Sequence, residues 1–200
     1  KNKKSIKRNI QGEAREIRYS LLTNFCKKRK IQTILTAHNL EDQVETFFIR
    51  LSRGSGLHGL SSMRQINKIN SNINLMRPLL DFKKIQLTNI SKIVFDKFYI
   101  DPTNKNTKYL RTRIRNLKKS LETSGINYDQ IFKSIKNLAS SRDTLDLYFS
   151  KIYKNITKKR KNMLIIDFKR LSSLNKEMKM RVFKKSITDF TKAYYSPRSK

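Results

Sequence analysis

Cysteine is nearly absent from this sequence: Cys26 is the single one in 200 residues. One thiol closes no internal disulfide and builds no multi-cysteine zinc or iron–sulfur site from this chain. A reducing, cytoplasmic setting is the expectation. Long hydrophobic runs are missing too. Nowhere does the chain approach the roughly 20 uninterrupted apolar residues of a membrane span, and Lys1-Asn2-Lys3-Lys4 is not followed by the hydrophobic stretch of a signal peptide. No membrane partner is expected. The first residue is not Met, so the sequence is expected to begin inside a longer gene product. Acidic residues are scarce: 15 stand against 46 Lys and Arg, a formal net charge of +31. Such a surface carries a strong positive potential, and a polyanion is its natural partner. Nucleic acid fits, because Lys and Arg release counterions when they neutralise phosphates. An acidic membrane would call for a basic amphipathic helix or a lipid anchor, and neither is visible. The competing account of the charge is a general drift toward Lys, Asn and Ile.

With 37% hydrophobic residues the chain buries one core and has room for a second small unit. Residues 12–30 give a helical pattern, with Ala14, Ile17, Leu21, Leu22 and Phe25 as the packing stripe. Thr33-Ile34-Leu35-Thr36-Ala37 is short, partly β-branched and mostly apolar, which predicts a buried parallel strand. Leu40, Val44, Phe47, Phe48 and Leu51 mark the buried stripe of a second helix, which Asn39 caps with Asp42 in the third helical position. That helix ends in a run holding three of the five glycines, Gly54, Gly56 and Gly59. Residues 65–74 are polar and are expected to form a loop. Met76-Arg77-Pro78-Leu79-Leu80 leads into a helix carrying Ile85, Ile90, Ile93 and Val94, then a short strand near Phe98-Tyr99-Ile100 and a turn at Asp101-Pro102-Thr103-Asn104. From Tyr109 onward the pattern is helical. The expected division is 1–124, an α/β unit, and 125–200, an α-helical appendage, with the break near Gly125.

Three clusters could carry chemistry. His38, Asp42 and Glu45 project together at a strand-to-helix junction, where α/β sheets bind ligands. One imidazole and two carboxylates can bind hydrated magnesium, orient a nucleotide or take a proton from an amine. Acids in a first helical turn also simply complement the helix dipole. The glycine loop lets a phosphate approach the backbone, and glycines also terminate helices. Arg50 and Arg53 beside it meet phosphates or cap carbonyls. In the third cluster, Arg111 and Arg115 share a helix face that can grip phosphate bidentately, Tyr109 can stack on a base, and Arg113 points away. A solvated basic helix is the plain alternative.

Taken in order, these segments resemble the tRNA(Ile)-lysidine synthase family of ATP pyrophosphatases. The resemblance runs from about Gln11 to Asn116, and its most specific part is TAHNLEDQVETFFIRLSRGSGLHGLSSM, Thr36 to Met63. Ala14-Arg15 with Arg18-Tyr19, Arg77-Pro78-Leu79-Leu80, and DPTN followed by Tyr109 and the arginines are similar as well. The resemblance implies a Rossmann-like parallel sheet with flanking helices, an adenine nucleotide alpha hydrolase-like fold. It implies ATP and Mg2+ as cofactors, free L-lysine and a tRNA(Ile) with a CAU anticodon as substrates, and leaves a homodimer open. Members adenylate the C2 carbonyl of the wobble cytidine, and lysine then displaces AMP. On that basis Asp42 serves magnesium or the lysine amine, Glu45 supports it or recognises lysine, and His38, Gly54 and Gly56 stand at the nucleotide. Arg111, Arg113 and Arg115, with Arg15 and Arg18, serve phosphate or tRNA. Asn39, Glu41 and Thr112 depart from the family's usual residues. Its Ser-Gly-Gly-x-Asp-Ser phosphate loop is absent from these 200 residues; the resemblance places it upstream, so this piece alone is expected to be inactive. Two other readings share parts of the pattern. A related ATP-dependent tRNA thiolase would use sulfur as nucleophile and often paired cysteines, whereas Cys26 stands alone. A basic RNA-binding homologue would have lost the ATP site.

Overall fold

The computed structural model describes residues 10–70, 72–97, 107–161 and 163–191. The expected strand at Phe98-Tyr99-Ile100 and the turn at Asp101 to Asn104 lie outside the described residues. Contacts divide the chain into two compact units between Lys136 and Asn137, within one long helix.

In the first unit, α1 (Ile10–Lys28) is followed by β1 (Thr33–Leu35), α2 (Leu40–Leu51), the single turn α3 (Leu57–Leu60), β2 (Ile66–Lys68), β3 (Asn74–Met76), α4 (Lys84–Phe95), α5 (Leu110–Asn116) and α6 (Lys118–Thr123). The sheet order is β1-β3-β2. β1 runs parallel to β3, with Ile34 opposite Leu75, and the connection between them carries α2, as parallel pairing requires a crossover. The expected loop over 65–74 is corrected: its Ile66–Lys68 segment pairs antiparallel with β3. All three β2 residues are exposed, so no alternation of apolar and polar residues announced an edge strand. The expected buried strand at β1 is parallel but only half buried, because Leu35 is 64% exposed while Ile34 is buried.

The sheet's covered face is a cluster of Cys26, Ile34, Ile73 and Leu75, with Tyr19 and Ile69 against it. α1 therefore meets the sheet through Tyr19 and Cys26, seven residues apart on one stripe. The stripe expected to pack, Ala14, Ile17, Leu21, Leu22 and Phe25, lies exposed. Hydrophobicity gave the helix but not its inward face, since Tyr19 and Cys26 supply contact area that the aliphatic pattern concealed. A second cluster joins α2 to the start of α7 (Tyr128–Ile156): Leu40, Val44, Tyr128, Ile131 and Ile135, with Phe47 and Phe48 packed on it. Leu51, expected on that stripe, is exposed.

Gly125 has φ +82° and follows α6, so the chain can turn there before α7. The second unit is helical with one addition. α7 leads into a hairpin, β4 (Thr157–Arg160) and β5 (Met163–Ile166), then α8 (Phe168–Ser172) and α9 (Lys176–Thr191). Its core is Ile156, Leu171 and Val182, with Phe149, Ile152, Tyr153 and Ile166 around them. No described helix in either unit is long and apolar enough to cross a membrane.

Candidate functional site

The site is built from the first turn of α2. Asn39 is extended, with φ −120° and ψ −173°, and its Oδ1 accepts the Asp42 backbone N–H at 3.0 Å. In return Asp42 Oδ2 accepts the Asn39 N–H at 3.1 Å. This reciprocal box satisfies two donors that a helix start otherwise leaves unpaired. It also fixes the carboxylate: one oxygen of Asp42 is engaged by the cap, and Oδ1 stands 4.0 Å from Nη1 of Arg111.

Glu45 lies one turn further on and is only 1% exposed. Arg115 Nε donates to its Oε1 at 2.7 Å, and Arg115 Nη2 donates to Oε2 at 3.1 Å. Arg111, four residues earlier on α5, brings Nε to 3.3 Å from the same Oε2 and donates through Nη2 to Thr46 Oγ1 at 3.1 Å. The shared helix face of Arg111 and Arg115 is thus present, and it meets a carboxylate. Burial pushes the Glu45 carboxyl above its ordinary range, and the Arg115 hydrogen bonds oppose that shift. The same hydrogen bonds raise Arg115. Arg113 is exposed, away from this face.

His38 sits in the link between β1 and α2, and its Nδ1 lies 2.9 Å from Thr36 Oγ1. Desolvation lowers its pKa below the usual imidazole value; the Asp42 carboxylate works against this, and Arg77, Arg15 and Arg111 work with it. The imidazole is accordingly neutral at pH 7. Arg15 lies with its guanidinium 4.9 Å from the centroid of the Tyr19 ring. Arg18 is exposed on the same helix.

Asp42, Glu45 and Arg115 border a cavity of about 610 Å³ whose walls also include Glu41, Lys84, Lys118 and Tyr128. Three carboxylates and three cations therefore face one space, a layout suited to a dipolar or zwitterionic guest. Tyr128 was not anticipated. Its hydroxyl is buried without a partner, and burial, then the Glu45 carboxylate, push its pKa up to about 12, so it stays a protonated donor. The sequence carried no signal for it beyond its place at a helix start. Arg77, quoted only as part of a motif, is 4% exposed; Nη1 donates to the Arg64 carbonyl at 2.9 Å while Nε is unpartnered. Burial lowers its pKa.

The glycine loop is tied back onto α2. Arg50 Nη1 donates to the carbonyls of Gly59 and Ser62 at 2.8 and 2.9 Å, and the Gln43 amide exchanges two hydrogen bonds with the Met63 backbone at 2.9 and 2.8 Å. Gly54 has φ +65°, and a Cβ on Gly59 would fall 2.4 Å from that of Ser55. A Cβ on Gly54 or Gly56 would meet nothing within 4 Å, so both border open space. Among the described residues no group of three or more His, Cys, Asp or Glu converges to hold a metal by itself.

Comparison with known proteins follows the same stretch. Residues 1–121 match the PP-loop domain. The chain is 42% identical over 129 residues to the tRNA(Ile)-lysidine synthase of Wolbachia pipientis, covering 64% of this chain and 30% of that protein. It is 46% identical over 118 residues to that of Orientia tsutsugamushi, covering 59% and 26%. The chain thus spans about a quarter to a third of the curated relatives it matches. Among solved structures, a U34-tRNA thiolase from Methanococcus maripaludis superposes with a TM-score of 0.52 at 16% identity, covering 68% of this chain and 46% of that one, a likeness of fold. With more than half of its length in that match, the chain belongs to the PP-loop domain family.

Proposed function

We propose that the protein carrying this chain ligates lysine to C2 of the wobble cytidine of a tRNA(Ile) with a CAU anticodon, using ATP, in a reducing cytoplasm. Residues 1–124 supply part of the ATP-pyrophosphatase domain and 125–200 a tRNA-binding appendage. The observation that carries this reading is the division of labour between two acids in one cavity. Glu45 is neutralised by Arg115 and Arg111, whereas Asp42 keeps Oδ1 at the longer distance of 4.0 Å from Arg111. The relatives named tRNA(Ile)-lysidine synthase support the substrate assignment.

Cytosine O2 is a poor leaving group. Attack of O2 on the α-phosphorus of ATP, with loss of pyrophosphate, makes it a good one, and attack of the lysine amine at C2 then breaks the C2–O2 bond and expels AMP. An amine attacks only when unprotonated, so a carboxylate beside it serves to position it and receive its proton. Asp42 takes that role. Glu45 holds Arg111 and Arg115 in place, and its own charge is fully offset by them. His38, neutral and fixed by Thr36, orients the nucleotide, with Gly54 and Gly56 at the open loop. Arg15, Arg18 and Arg113, all exposed, meet phosphates of the tRNA. Magnesium characteristically binds through one or two carboxylates together with substrate phosphates and waters, which Asp42 suits; it would offset phosphate charge during adenylation.

The test is Asp42→Ala in the full-length protein. Turnover should fall by at least about a thousandfold while tRNA affinity changes by less than about threefold, because the basic surface supplies binding. Wild-type turnover in that variant removes Asp42 from the mechanism.

A further inference from the structure

The β4–β5 hairpin of the second unit has two unlike faces. Residues opposite each other on an antiparallel ladder share a face, and faces alternate along each strand. The register pairs Thr157 with Ile166 and Lys159 with Leu164 on one side, and Lys158 with Ile165 and Arg160 with Met163 on the other. Ile166 packs against the Ile156, Leu171 and Val182 core, so the face it shares is the inward one. The opposite face points outward: Lys158 and Arg160 are exposed, and so are Met163 at 54% and Ile165 at 40%. No acidic residue occurs from Thr157 to Ile166. Each cation therefore stands beside an uncovered aliphatic side chain, and the two cations are separated by two strand residues, about 6.6 Å.

We propose that this outward face is an RNA-contact surface, on which Lys158 and Arg160 neutralise neighbouring phosphates of one strand while Met163 and Ile165 pack against an unstacked base or its sugar. The proposal rests on the reading of residues 125–200 as a tRNA-binding appendage and names the element that makes the contact. Charge complementarity selects the occupant. A ribbon bearing only cations at phosphate-like spacing suits a polyanionic strand, and two-stranded ribbons are established nucleic-acid readers. A membrane surface would instead ask for a helix with a broad apolar face. Single-stranded RNA offers both the charges and the apolar base faces this surface matches.

The experiment measures binding of the whole chain to a fluorescent tRNA(Ile) transcript with a CAU anticodon across a salt series. Lys158→Gln with Arg160→Gln should raise Kd about tenfold near 0.15 M salt and reduce the magnitude of the salt slope by about 1.5, since each lost phosphate contact removes about 0.7–0.9. Lys27→Gln with Lys119→Gln, the same charge loss on exposed positions before Gly125, should change Kd less than about threefold. Met163→Ser with Ile165→Thr should weaken binding and leave the salt slope unchanged. Equal behaviour of the hairpin and control pairs overturns the hairpin assignment and leaves the appendage reading standing. Loss of binding to phosphatidylserine vesicles with tRNA binding intact also overturns it, in favour of a membrane surface. Absence of salt-dependent tRNA binding by the unaltered chain overturns both.

Discussion

The carboxylate of Glu45 and the guanidinium of Arg115 meet in a two-point fork, at 2.7 and 3.1 Å, with the acid almost fully buried and the arginine about a third exposed. Removing one member of a buried pair strands the other, whereas removing both can cost little. Glu45→Gln should lower stability by about 1–3 kcal/mol, less than for a wholly buried pair because Arg115 keeps access to water. The double variant Glu45→Gln with Arg115→Met should be less destabilised than the sum of the singles. Urea denaturation of the four proteins checks this; strict additivity would show that the two side chains do not act as a pair.

Asp42 serves both the helix cap and, on the proposed mechanism, the chemistry, and one substitution separates these. Asp42→Asn retains an oxygen that can accept the Asn39 N–H, so stability should fall by less than about 0.5 kcal/mol while turnover is lost. Asn39→Ala should do the reverse, costing about 1 kcal/mol of stability with turnover reduced less than about tenfold. Thermal melting paired with turnover checks both. Equal stability losses in the two variants would remove the cap from the account.

Much of this site was legible because helix starts follow local rules. The Asn39 to Asp42 box, the α2 stripe of Leu40 and Val44, and the Arg111 and Arg115 face all follow from spacings of three and four residues. What those arginines touch was not legible: Glu45 lies 70 residues before Arg115 in the chain, and a fork suited to phosphate suits carboxylate equally. Tyr128 was missed for the same reason, since its burial depends on α2 rather than on its own neighbours in sequence. β2 and β4 escaped because their mostly polar, exposed residues show no apolar–polar alternation, and β5 because Met163-Leu164-Ile165-Ile166 is a short unbroken apolar run that periodicity does not separate from a helix.

His38 gives a pH prediction. Its folded-state pKa lies below 6.5, so the folded protein binds fewer protons than the unfolded chain as pH falls through that region. The contribution to stability is therefore present above pH 6.5 and is lost as pH drops toward the lowered value. An NMR titration of the His38 ring, in a His58→Gln background that leaves one histidine signal, should show a midpoint below 6.5. A midpoint at or above 6.5 contradicts the burial and charge arrangement described for the ring.

The glycine loop separates into positions that need glycine and one that does not. Gly59→Ala forces its new methyl against Ser55 and should cost about 1–3 kcal/mol. Gly54→Ala, at φ +65°, should cost about 1 kcal/mol. Gly56→Ala meets open space and should leave stability within about 0.5 kcal/mol, while weakening ATP binding if the nucleotide approaches there. Denaturation with and without ATP checks the three; unchanged ATP affinity in Gly56→Ala takes that residue out of the nucleotide site.

The central claim is lysine ligation to a specific tRNA, and one assay reaches it directly: transfer of radiolabelled lysine, by the full-length protein with ATP and magnesium, into a tRNA(Ile) transcript bearing a CAU anticodon. Incorporation should be ATP-dependent and lost when the wobble cytidine is replaced by uridine. Failure of the label to enter the CAU transcript, or equal incorporation into the uridine variant, would contradict it.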